Sequence, residues 1–98
     1  TVVIGMLTVR LLVRESRSLK DKRQVVRSVL DKLRSNFNVS AAEVDTLDDH
    51  RVVTVGVSAV GPDVAGVKGC LDAIQNALRV HPVAEYLGGE VSVGREVV

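Results

Sequence analysis

Three observations predict an α+β sandwich of order β-α-β-β-α-β for this chain. Apolar and other residues alternate at its start, in its middle and at its end; two apolar stripes with helical spacing lie between these segments; turn residues divide them without long linkers. That order is the ferredoxin-like plan, in which two helices cover one face of a four-stranded antiparallel sheet. At 98 residues the chain is expected to form a single domain, 1–98.

Val3, Gly5, Leu7, Val9, Leu11 and Val13 alternate with Ile4, Met6, Thr8, Arg10 and Leu12, which makes the first strand. Ser18 follows as a helix N-cap, with Asp21 three residues on to complete a weak capping box. Leu19, Lys22, Val26, Val29, Leu30, Leu33 and Phe37 then recur every three or four positions, the mark of an amphipathic helix. Residues 39–45 form a short second strand, 46–50 a polar connection and 51–60 a third strand, paired as a hairpin. Gly61, Pro62 and Asp63 start a second helix with a stripe of Val64, Val67, Leu71, Ile74 and Leu78. Gly66 and Gly69 each cost that helix about 1 kcal/mol relative to alanine, so tertiary packing must hold it. Gly88 and Gly89 read as a turn, and residues 90–98 as the last strand.

The composition excludes several classes. With 46% apolar residues and 26% charged, the chain is neither a disordered tail nor a membrane span, and nothing at its start resembles a secretory leader. A cytoplasmic location is expected. The single cysteine, Cys70, falls within a helical apolar pattern and reads as a packed thiol. Asp45, Asp48, Asp49 and His50 lack zinc or calcium-loop spacing and read as a solvated acidic turn. His81 before Pro82 reads as a cation ending the second helix. No metal, cofactor or catalytic constellation is expected, and the chain reads as a non-enzyme.

Charge is unevenly placed. Residues 14–34 carry eight basic and three acidic side chains, net +5; the rest carries five basic and nine acidic, net −4. On a wheel of 100° per residue, Lys20, Arg23, Arg27 and Arg34 fall within roughly 60° on one flank of the first helix. Lys20, Lys22 and Arg23 crowd its first turns, where the helix dipole disfavours cations, and Arg14 and Arg17 precede it. This set is the candidate contact for RNA, a ribosomal particle or another acidic partner. The competing readings are a small-anion or metabolite site at the loop and helix start, or a plain solvated face. Only Phe37 and Tyr86 are aromatic, so the sheet lacks the stacking platform of RNA-recognition domains. Ile4, Met6, Leu12, Val52 and Val60 fall on the sheet face opposite the helices and are candidate residues of an oligomer interface, most simply a homodimer. A protein-only interaction module using that face is a further reading. Acylphosphatases share this topology, but their glycine-rich loop is not found in "VRESRSLKDK".

The stretch S-L-K-x-K-R at 18–23, followed by F-N-V-S at 37–40 and Ala-Glu-Val at 42–44, resembles the YlxP-like family of small bacterial proteins of unknown function. The resemblance covers most of the chain through the second helix. It implies a ferredoxin-like fold and genes often placed beside those of translation initiation and ribosome maturation; it supplies no reaction or ligand. Family members often carry an aspartate, leucine, tryptophan and glutamine run in the hairpin loop, where this chain has "TLDDHRVV".

Overall fold

The opening alternation becomes β1 (Val3–Leu12), whose odd residues are buried while the even ones face the other side. The computed structural model describes residues 1–95. It continues as α1 (Leu19–Asn36), β2 (Ser40–Glu43), β3 (Val52–Gly61), α2 (Val64–Arg79) and β4 (Glu85–Arg95). The strands form one sheet of order β2-β3-β1-β4 with every neighbouring pair antiparallel. Both helices contribute to the core beneath one sheet face, so the ferredoxin-like expectation holds.

Ser18 caps α1 as its sequence position predicts, its hydroxyl accepting from the Asp21 N–H at 3.1 Å. The Asp21 carboxylate returns to the N–H of Arg17, one residue before the cap, at 3.1 Å. Asp63 caps α2 by accepting from the Gly66 N–H at 2.6 Å. Val67, Leu71, Ile74 and Leu78 of α2 are buried, whereas Val64, the first member of the predicted stripe, stays exposed at the helix start. The helix settles onto Gly5 of β1, where an added Cβ would stand 2.5 Å from Val67 Cγ1. A side chain there would push α2 off the sheet.

Both edge strands depart from expectation. β2 ends at Glu43 because the chain turns at Asp45, whose φ of 59° is left-handed, while the Thr46 N–H donates to Val44 O at 2.7 Å. β4 begins at Glu85, not at residue 90, and Gly88 and Gly89 are paired strand residues opposite Arg10 and Val9. Between Gly88 and Tyr86 the register slips, leaving Leu87 without a β1 partner as a bulge. The slip changes which residues face the helices. Gly89 pairs with buried Val9, yet on the other side of the bulge it is Tyr86 that pairs with buried Leu11. The Tyr86 hydroxyl accordingly reaches Gln75 of α2 at 3.0 Å, and Arg79 lies over its ring at 4.9 Å. Residues 96–98 of the predicted last strand lie outside the described residues.

Candidate functional site

Helix periodicity sets the basic flank. Val26, Val29 and Leu33 face the sheet, which turns Lys20, Arg23, Arg27 and Arg34 outward, and all four are exposed. Among the described residues Lys20, Arg23 and Arg27 have no ion-pair or hydrogen-bond partner for their side chains; Asp31, one turn from Arg27, makes no ion pair with it. Arg34 donates through Nη2 to Ala41 O at 2.6 Å, which fixes the end of the row against β2. Arg17 is exposed near the helix start, and Arg14 pairs with Glu85 at 2.8 Å in a solvent-facing bridge.

Lys22 must be withdrawn from this surface. It is fully buried, and its Nζ donates to Thr46 O at 2.8 Å and to Leu47 O and Val52 O at 3.3 Å each. The Glu43 carboxylate stands 2.9 Å away, off the line of a hydrogen bond, so the attraction there is between charges. The physical reason is position: Lys22 lies on the apolar arc, one turn before Val26, and its stem runs inward with the core. Its ammonium holds together the connection between β2 and β3. The periodic placement of Lys22 in the sequence was the available signal; its partners, 21 to 30 residues further on, were not legible.

The helix start already holds an anion, the Asp21 carboxylate on the Arg17 N–H, while Ser18 occupies the Asp21 N–H. In the hairpin connection, Asp49 accepts from the backbone N–H groups of Arg51 and Val52 at 2.9 and 3.0 Å. Those two bonds hold its carboxyl below the ordinary carboxylate range. His81 is not the cation expected at the end of α2. Its Nδ1 accepts from the N–H groups of Val83 and Ala84 at 3.2 and 3.1 Å, which requires an unprotonated nitrogen. Burial, with a smaller contribution from nearby Lys32, lowers its pKa.

The open sheet face divides in two. Ile4, Met6 and Val60 are exposed by 45, 59 and 65%, and Ile4 pairs directly with Val60 in the ladder. Leu12 and Val52 pair with each other at the far end of the strands and are half-buried. Thr8 and Arg10 intervene, so the five candidate interface residues form an exposed patch and a separate half-buried pair. Neither aromatic residue lies on this face: Tyr86 points to α2, and Phe37 packs at the core edge.

Among the described residues no helix is long and apolar enough to cross a membrane. No curated protein matches the chain. The family model described as "Protein of unknown function (DUF503)" matches residues 4–90, nearly the whole described fold, including the basic helix and the hairpin connection that Lys22 holds. By that match the chain belongs to the DUF503, or YlxP-like, family.

Proposed function

We propose that this protein is a non-catalytic accessory module that binds the phosphate backbone of structured RNA, such as a ribosomal particle, through Lys20, Arg23, Arg27 and Arg34. What carries the reading is the row of exposed cations on α1, three of them without a side-chain partner among the described residues. Packing makes no use of the charged ends of those three, Lys20, Arg23 and Arg27. Four neutralised phosphates give a log–log salt slope of roughly −3, a modest affinity for one copy. The open face lacks an aromatic platform for splayed bases, which favours backbone contact over sequence readout. Pairing of two copies through the Ile4, Met6 and Val60 patch doubles the phosphate contacts and covers exposed apolar surface.

The test is co-sedimentation with ribosomal subunits over a salt series. The native protein is expected to bind at low salt and leave at high salt, and charge reversal of Arg23 and Arg27 to Glu together is expected to abolish binding. Binding that survives the reversal places the contact elsewhere; binding to acidic proteins but not to RNA replaces the partner class. Sedimentation equilibrium checks the pairing, where Met6→Lys is expected to yield monomers.

A further inference from the structure

The polar part of the open sheet face contains a cleft of about 540 Å³ that the RNA reading does not use. Thr8 and Arg10 of β1 form its floor with Thr54 of β3 and Gly88 of β4, the two residues paired across from Arg10. Gly88 contributes no side chain, and an added Cβ there would meet nothing within 4 Å, which leaves the floor open beside the guanidinium. One wall is the turn at Asp45 and Thr46; the other is Leu87 and Glu90.

The charges in this cleft are arranged but unjoined. Arg10 has no carboxylate within ion-pair distance among the described residues, although Asp45 and Glu90 line the same space. A planar guanidinium with unspent donors suits a carboxylate, and two flanking carboxylates suit an ammonium. The Thr46 hydroxyl lies 3.2 Å from Val52 O and 2.8 Å from the Thr54 hydroxyl, and whichever of the two donates to the other, the pair retains acceptor capacity. Leu87 adds an exposed apolar lip.

Both walls are built from irregular backbone that the fold holds in place. Asp45 is the only non-glycine residue with a left-handed φ among the described residues, and its neighbours Thr46, Leu47 and Val52 are gripped by the buried Lys22 ammonium. Opposite, the unpaired Leu87 forms the β4 bulge. Bulges recur beside binding sites because they re-aim side chains, and a rigid supporting contact fixes a wall before any ligand arrives.

We infer that this cleft binds a small zwitterion of the α-amino-acid class, with its carboxylate on Arg10 and its ammonium between Asp45 and Glu90. Its volume falls in the range of small-molecule sites, about 300 to 1,000 Å³. The occupant is held at the end of the face away from Ile4 and Val60, so the inference is independent of the RNA contact.

The experiment is amide NMR titration of the whole chain with leucine, alanine, serine and glycine, beside 4-methylpentanoate and isopentylamine, which are leucine without its ammonium and without its carboxylate. At least one amino acid is expected to shift the amides of Thr8, Arg10, Thr46 and Leu87 to Glu90, with each half-molecule roughly tenfold weaker or worse. Arg10→Met and Glu90→Gln are each expected to weaken that binding while the remaining spectrum shows an intact fold. The inference is overturned if none of the four amino acids shifts these amides at about 10 mM. 4-Methylpentanoate binding as well as leucine, or an Arg10→Met variant binding like the native protein, overturns it too. Retention of ribosome binding by Arg10→Met separates this outcome from the fate of the RNA reading.

Discussion

The inner arc of α1 and its outer flank carry the same kind of charge to opposite ends. Lys22 takes its ammonium fully out of water and meets three carbonyls and a carboxylate, whereas Arg23, the next residue, stays exposed without a side-chain partner among the described residues. A buried ion is tolerated only where its surroundings replace water, and each lost partner then leaves another buried group unsatisfied. An exposed cation costs the fold almost nothing and contributes almost nothing to it. Basic residues that look alike in the sequence therefore divide into those the interior depends on and those it does not use.

The sharpest way to break this contrast is Lys22→Ala. It leaves the Glu43 carboxylate without its counter-charge and takes one bond each from the Thr46, Leu47 and Val52 carbonyls, and is expected to cost about 3 to 5 kcal/mol in urea denaturation. A loss no greater than that of Arg23→Ala removes the distinction. Glu43→Gln keeps the shape but deletes the counter-charge, with an expected loss of about 1 to 3 kcal/mol in the same measurement.

His81 extends the comparison to a group that the interior keeps uncharged. Its folded pKa lies below the ordinary value of 6.5, so the unfolded chain takes up the proton first as pH falls. Its contribution is complete above that value and is lost as pH falls through the lower, folded pKa. The melting temperature is expected to fall between neutral and mildly acidic pH. His81→Asn, which keeps an acceptor without titrating, is expected to flatten this part of the profile; an unchanged profile assigns the pH dependence to other groups.

The smallest effect runs the other way. Lys20 stands in the first turn of α1, where the dipole disfavours a cation, so Lys20→Glu is expected to stabilise the fold by about 0.3 to 1 kcal/mol. If the flank meets RNA, the same substitution weakens binding. Gain of stability without loss of binding leaves Lys20 outside the contact.

Long uninterrupted periods made β1, α1, β3 and α2 legible, and the Ser18 cap placed the start of α1. β4 was legible only from residue 90 because its apolar alternation changes phase at Leu87 and two glycines imitate a turn. The exposed flank followed from helix geometry, since 100° per residue decides which cations share a side. The surroundings of Lys22 did not, because Glu43, Thr46, Leu47 and Val52 reach it only after the hairpin has docked. The cleft beside Arg10 needs three strands and a bulge together, none of which a linear pattern encodes.

The same bulge bears on polymerisation. β2 and β4 are the outer strands, and an outer strand that is long and regular templates further strands from other molecules. Here one is four residues long, and the other is broken in register at Leu87, which confines its even run to the part from Gly88 onward. The proposed pairing through the exposed apolar patch of Ile4, Met6 and Val60, if two-fold, closes on itself and leaves no patch open for a third copy.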